Sequence, residues 1–476
     1  MNKAKSFFQL GTRCACASRG SALLKGTFVV GTLLAASGIA QAQVAAPADG
    51  SLTMNGVTLY GIVDIGLQYE SHGAPFNDYF PAGSADVVQK NSNSSQTGAT
   101  PSNLSQSRVG LQGIEPLVGD WSGVFKIETY FNPQSGEISD ALKSLVQNNG
   151  RSAATQTTNL DSSIAGQAFQ QSFVGLASPT FGSITFGRQN TLLADGIAKY
   201  DAQGASQAFS LIGLSGTTAG GGDTEDRRLS SSLKYVSLFS GVHIGAEYKF
   251  NGNSGSANTA EQFQVGYEFA GLSIDAYYSQ VKDAIAAAAL SAAQVAELPG
   301  LGFSVDNSLA ATVSDNKTFS VMGSYLFAPN MPKLFAGYEH ISFSNPDTPI
   351  EAGFDDIGGY KLAFVNNAAF PTNKTLQVFW AGVKYGVTPK FDLLGAYYGY
   401  KQNSYGIGAN AGCSTNKAGT CSGTENAVSF LADYRWTKRF DTYAGLMWTQ
   451  VKDGLANGFD FNTSTVDPTI GVRWRF

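Results

Sequence analysis

Residues 57–70 read VTLYGIVDIGLQYE. Val57, Leu59, Val63, Ile65, Leu67 and Tyr69 share one parity, and Thr58, Asp64, Gln68 and Glu70 share the other. A period of two is the signature of a strand with one apolar and one polar face. The alternation returns in WSGVFKIETYF (121–131), where Trp121, Phe125, Ile127 and Phe131 oppose Ser122, Lys126, Glu128 and Tyr130. In VHIGAEYKF (242–250), Val242, Ile244, Ala246, Tyr248 and Phe250 oppose His243, Glu247 and Lys249. EQFQVGYEF (261–269), GLSIDAYYSQV (271–281) and AVSFLADYRW (427–436) repeat the scheme. At the far end, GVRWRF (471–476) sets Val472, Trp474 and Phe476 against Arg473 and Arg475.

Such runs predict sixteen strands, at 57–70, 105–117, 121–133, 168–177, 181–190, 229–238, 241–250, 261–269, 271–282, 317–327, 331–344, 374–385, 389–402, 424–436, 439–452 and 466–476. Their connections alternate in length. PLVGD, SPT, FSG, AG, PNM, VTP and TK are short, whereas 71–104, 134–167, 191–228, 251–260, 283–316, 345–373, 403–423 and 453–465 are long. Short turns at one end and long loops at the other are the plan of an outer-membrane barrel with an even strand count. Two packed soluble sheets have no reason for that rhythm. The Ala-rich stretch 284–302 carries Glu297 and Pro299 and predicts a short helix inside a loop.

Composition agrees. Charged residues make up 14% of the 476 residues, against about 25% in a typical globular chain. Mean hydropathy is near zero at −0.07, so the chain is no bundle of membrane helices. Sixteen strands enclose a space too wide for side chains to fill. The apolar face is therefore expected to meet lipid and the polar face water. Lipid offers backbone groups no partners, so the sheet has to close on itself. Tyr60, Tyr69, Trp121, Trp380 and Trp436 are expected in the interfacial girdles. GVRWRF is expected to be the closing strand, with its two arginines toward the lumen.

Residues 1–42 read as a secretory signal. Lys3, Lys5, Arg13, Arg19 and Lys25 precede the apolar TFVVGTLLAASGIA, and Ala40-Gln41-Ala42 fits the small-x-small cleavage rule. Residues 43–476 are then the barrel domain. Removing the signal takes five of the 31 basic residues and none of the 36 acidic ones, leaving 26 against 36. That balance disfavours nucleic acid as a partner. Cys413 and Cys421 stay behind in a polar, Gly-rich stretch that suits a loop disulfide in an exported protein. Without nearby His they do not suggest a zinc site. No metal or other cofactor is expected.

At this point the chain resembles the general trimeric porins of Gram-negative outer membranes, of the neisserial and Burkholderia type. The resemblance rests on VTLYGIVDIGLQY, SRVGLQGIEPL (107–117), QSFVGLASPTFGSITFGRQNT (171–191) and GVRWRF, and with the strand rhythm it covers nearly all of 53–476. It implies a multi-pass homotrimer embedded in outer-membrane lipid and lipopolysaccharide. It also implies that Phe476 is the signal for the barrel-assembly machinery. The third long loop, about 191–228, is implied to fold inward and narrow the pore, with basic residues on the wall facing acidic residues on the loop. Carried over by motif, Arg108 in SRVG and Arg188 in FGRQ are wall residues, and parity adds Lys126 and Lys234. Arg188 shares parity with Ile184 and Phe186, so a local break in the strand has to turn it inward. Asp195, Asp201, Asp223, Glu225 and Asp226 are the acidic loop candidates. The family often has a basic residue just before QxFVGL, where Gln170 stands.

Enzymatic chemistry finds little support. His72, His243 and His340 lie on separate segments, and no GxSxG is present. GIGANAG (406–412) has the wrong spacing for a dinucleotide loop. The implied function is a water-filled channel for passive diffusion of ions and small hydrophilic solutes. A channel with a saturable loop site, or a structural or adhesive barrel, stays open at this stage.

Overall fold

The computed structural model describes residues 52–72, 95–134, 168–214, 228–251, 259–288, 296–302, 308–349, 360–408, 419–456 and 463–476, with Gly136, Ile138, Asp356, Ile357 and Ala411 between them. The expected signal segment 1–42, Cys413, Asp223, Glu225 and Asp226 lie outside these residues. Cys421 is buried and disulfide-bonded.

Sixteen strands form the wall. They are β1 (Val57–Glu70), β2 in two pieces (Gln96–Pro101 and Arg108–Pro116), β3 (Ser122–Tyr130), β4 (Gln171–Ser178), β5 (Gly182–Asn190), β6 (Arg228–Phe239), β7 (Val242–Lys249) and β8 (Ala260–Phe269). The series continues with β9 (Leu272–Ala288), β10 (Ser308–Leu326), β11 (Lys333–Ser344), β12 (Lys374–Thr388), β13 (Phe391–Gln402), β14 (Gly423–Arg435), β15 (Phe440–Asp453) and β16 (Ser464–Arg475). Each strand pairs antiparallel with the next. β16 returns to β1, from Ile62 opposite Arg475 to Gln68 opposite Thr469. The sheet is a closed barrel.

The seam is finished with care. Gly61 and Phe476 exchange backbone hydrogen bonds of 3.0 Å in both directions. Below Phe476 the edge of β1 is taken over by Leu52–Met54, which pairs with Val57, Thr58 and Leu59. Inside the barrel, Asp441 accepts from Arg473 Nε at 3.1 Å and Nη2 at 2.8 Å, and also from Arg475. Arg473 and Arg475 therefore face the lumen, while Val472 and Trp474 are 40% and 50% exposed on the outside.

Short turns join the strands at one end. The two-residue turns Ser240-Gly241 and Ala270-Gly271 have positive φ at both positions (50° and 84°, 47° and 87°). That is the mirror-type turn whose twist suits a hairpin, and it is why a Gly stands second in each.

The structure departs from the expected elements at four points. β2 starts at Gln96 rather than 105 and is interrupted at 102–107. The Ala-rich stretch opens as strand: β9 runs to Ala288 with an irregularity between Val281 and Ala284, 289–295 lie outside the described residues, and 296–297 are helical and lead into the 3-10 turn Leu298–Leu301. β10 begins at Ser308, well before 317, and its first residues pair in parallel with a segment of the long loop after β11, Tyr360–Asn366. Trp380 and Tyr60 are not girdle residues. Trp380 is buried inside the barrel, and the Tyr60 hydroxyl donates inward to Glu128 at 2.8 Å. Tyr69 and Trp436 are outside as expected, and Trp121 stacks on Phe181 at 5.8 Å.

The inner face also departs from a uniformly polar lining. Ile341 and Phe343 on β11, Leu376, Val378 and Trp380 on β12, and Tyr398 and Tyr400 on β13 point inward and are buried. They share a core with Leu192, Leu193, Ile197, Leu211 and Ile212 of the loop that follows β5. This side of the lumen is thus packed like a domain interior. Removing Asp441 tests the seam, because it takes away the buried carboxylate that Arg473 and Arg475 share. Asp441→Ala is expected to lower the stability of the refolded barrel by about 3 kcal/mol, read as a shifted urea midpoint and a lower temperature for the change in electrophoretic mobility.

Candidate functional site

The third long loop enters the barrel. Its first part is a helix, α1 (Leu192–Tyr200), capped by Thr191, whose Oγ1 accepts from Ala194 N at 3.1 Å. The sequence reading treated 191–228 as plain loop. The signal it passed over is Leu193, Ile197 and Tyr200 at i, i+4 and i+7, behind a Thr cap. The wall satisfies two further N–H groups of the first turn. Leu192 N donates to Glu247 Oε2 at 3.2 Å, and Leu193 N donates to Gln262 Oε1 at 3.1 Å.

The other end of α1 is held as firmly. Lys199 Nζ lies 3.1 Å from Asp275 Oδ2, and the Tyr200 hydroxyl donates to the same carboxylate. Trp380 Nε1 donates to the Tyr200 carbonyl at 3.0 Å. The Trp380 ring lies over Gly337, where a Cβ would come within 2.0 Å of it, so the glycine makes this contact possible. Beyond the helix, Tyr400 donates to the Leu211 carbonyl at 3.1 Å, and Gln203 Nε2 donates to Ser429 Oγ at 3.0 Å. The loop therefore runs along the inner wall from β7 to β15.

Of the acidic loop candidates, two lie in described residues, and neither is an unpaired charge over the pore. Asp195 is 2.6 Å from Lys234 Nζ and accepts from Asn190 Nδ2 at 2.9 Å. Asp201 is 3% exposed and turned to the wall. It accepts from Tyr398 at 2.7 Å, Ala205 N at 2.8 Å and Gln203 N at 3.1 Å. Burial pushes its carboxyl up, against the hydroxyl and amide donors that hold it down. The loop spends Asp201 on folding, not on facing solutes.

Across the lumen the basic residues gather around one carboxylate. Glu128 on β3 accepts from Tyr60 of β1 at 2.8 Å and from Gln171 of β4 at 3.1 Å. Arg108 of β2 lies 3.6 Å from its Oε2, and Lys126 of β3 lies 3.4 Å away. Four strands thus converge on Glu128. Arg228 of β6 reaches past two intervening strands to Tyr130, stacking over its ring at 4.8 Å and donating to its hydroxyl. Arg108 and Lys126 are brought together beside Glu128. Glu128 and Arg228 were not singled out, although Glu128 shares the lumenal parity of Lys126.

Lys234 is buried at 2% and donates to the Asn190 carbonyl at 2.8 Å as well as to Asp195, so it anchors the loop. The expected break beside Arg188 is present. Pairing with β6 shifts between Gly187 and Gln189, Gly187 has φ +141°, and Ser231 opposite has φ +52°. Arg188 leaves the row of exposed Ile184 and Phe186 and donates to Ser230 Oγ at 2.8 Å.

Comparison with known proteins gives a consistent result. Residues 29–454 match the family model described as Gram-negative porin. Over 233 residues the chain is 30% identical to an outer membrane porin protein of Bordetella pertussis, covering 48% of this chain and 51% of the relative, so it spans about half of that curated relative's length. Among solved structures it is similar in fold to the anion-selective porin from Comamonas acidovorans, with TM-score 0.57, 19% identity, and 88% and 99% of the two chains covered. It is also similar to OmpT of Vibrio cholerae in its trimer form, with TM-score 0.53, 13% identity, and 88% and 99% covered.

The Lys234–Asp195 pair makes the anchoring of α1 measurable. A double-mutant cycle through Lys234→Met and Asp195→Leu is expected to give a coupling energy of about 2 kcal/mol from urea midpoints of the refolded barrel. A coupling indistinguishable from zero would show that the pair does not hold the loop.

Proposed function

Because the chain belongs to the Gram-negative porin family, we propose that it forms a water-filled channel through the outer membrane for passive diffusion of ions and small hydrophilic solutes, with a preference for anions. The family and the sixteen-strand fold are those of channel proteins rather than enzymes. Solutes pass down their own gradients, and the side chains act on them only through charge and width.

One observation carries the anion preference. The Glu128 side chain is 1% exposed, whereas Arg108 and Lys126 beside it are 32% and 21% exposed. The cations meet the water and their counter-charge lies behind them. Arg108, Lys126 and Arg228 against Glu128 leave two net positive charges. At about 7 Å in water-like surroundings these are worth about 1 kcal/mol to a passing anion, which amounts to several-fold discrimination. Arg108, Lys126 and Arg188 are the proposed wall residues. Lys234 stands with them but is neutralised by Asp195. The trimer form of the Vibrio cholerae structure supports a homotrimer here. Lipopolysaccharide, the barrel-assembly machinery acting through Phe476, and a Cys413–Cys421 disulfide complete the proposal.

Planar-bilayer recording in a potassium chloride gradient tests it. The parent is expected to open in triplets with a reversal potential on the anion side. Replacing Arg108 and Lys126 by Gln should move that potential toward cations. The difference should fade near 1 M salt, where the screening length falls to about 3 Å. A reversal potential unmoved by both substitutions would remove the assigned role.

A further inference from the structure

β2 contains a detour that barrel closure does not require. On β1, Ile62 pairs with Arg108 and Ile65 pairs with Pro101. Two residues, Val63 and Asp64, thus lie opposite six, 102–107. The six turn inward. Ser102 has φ +61°, and 102–104 and 106–107 are buried. Asp64 organises them. Its Oδ2 accepts from Leu104 N at 3.0 Å and Ser105 N at 2.7 Å, and its backbone carbonyl accepts from Ser102 N at 2.8 Å. Arg473 clamps the detour from β16, donating to Ser105 Oγ at 2.6 Å.

The constriction loop meets this detour at 208–209, beyond α1. Ala208 N donates to the Asn103 carbonyl at 2.8 Å. Leu104, Ala208, Phe209, Leu394, Leu431 and Tyr443 form a small apolar core of their own. Phe209 meets Tyr443 edge-on with ring centroids 6.3 Å apart, and the Tyr443 hydroxyl donates to Asp64. The absence of a side chain at Gly445 admits the Phe209 ring, since a Cβ there would lie 2.6 Å from it. The carboxylate that shapes the detour therefore also holds the tyrosine under the loop's Phe209.

We propose that the 102–107 detour of β2 is the landing platform for the 208–209 stretch of the constriction loop, with Leu104 and Asp64 as positioning residues that set the free width of the channel. This rests on the channel reading above. Near α1 the loop is fixed by Lys234, Glu247, Asp275 and Trp380. Without the platform, the described residues beyond α1 would be tied to the inner wall through β13 to β15. A loop fastened at α1 and at 208–209 keeps one opening, and a loop released at 208–209 samples several.

Leu104→Ala and Phe209→Ala are the tests, read as single-channel conductance and open-channel noise beside the thermal unfolding of the barrel. Both are expected to raise conductance and noise while reversal potential stays at the parent value, measured well below an unfolding temperature that the lost packing lowers somewhat. Leu104→Met, which keeps the apolar bulk, is expected to restore the quiet parent level. Hydrogen exchange at the Ala208 amide is the second readout, expected to be slow in the parent and fast in Leu104→Ala. Parent-like conductance and noise in both alanine variants would overturn the proposal. So would conductance that changes only when barrel stability is lost, or an Ala208 amide indifferent to Leu104→Ala. If the parent did not conduct, the channel reading would fail, and the Ala208 exchange rates would still decide the landing.

Discussion

In hydrocarbon an unpaired backbone N–H or C=O costs several kcal/mol, and this barrel meets that constraint at its β1–β16 seam. The other pairs among the sixteen wall strands are neighbours in sequence and follow from turns or loops. The seam joins the two ends of the barrel, and it is where the chain concentrates unusual detail. Phe476 and Gly61 exchange backbone bonds, Leu52–Met54 extends the edge, and Asp441 binds two arginines of the last strand. Asp64, in the first strand, bonds the detour of the second and the tyrosine of β15. Closure and the shaping of the lumen share these side chains.

Closure sets up a second problem, since a sixteen-strand barrel is too wide to fill with side chains. The third long loop resolves it by packing against one side. Leu192, Leu193, Ile197, Leu211 and Ile212 bury themselves on apolar residues of the inner wall, each contributing about 2 kcal/mol. Polar anchors fix the loop's position along that wall: Glu247 and Gln262 at the helix start, Asp275 and Trp380 at its end. Across the lumen Glu128 is buried behind the more exposed Arg108 and Lys126. A sheltered carboxylate holds the cations in place and lets their charge act on passing ions.

Much of this was legible in the residues. Alternation gave the strand count, the lengths of connections gave the two ends, and parity put Lys126, Lys234, Arg473 and Arg475 inside. The misreadings have a common cause. A period of two separates two faces but does not say which is dry, and on β11 to β13 both are apolar. Trp380 therefore read as a lipid-facing aromatic when it is a loop anchor. Asp201 read as a pore charge, yet its neighbours in space, Tyr398 and the Ala205 amide, come from elsewhere in the chain or from the fold of the loop itself. The detour at 102–107 has no period at all, and only its contacts with Asp64 explain it. Helix α1 was visible in its cap and spacing but is short.

The division into an oily exterior and an interior part wet and part packed is tested most directly by tryptophan fluorescence in vesicles containing brominated lipid. Variants keeping a single tryptophan, with the other four of the five replaced by Phe, separate the faces. Strong quenching of Trp474, which is 50% exposed on the outside, and little quenching of Trp380, which is 3% exposed within, is the expected result. Equal quenching of the two, or quenching of Trp380 alone, would contradict the assignment of inside and outside on which the channel depends.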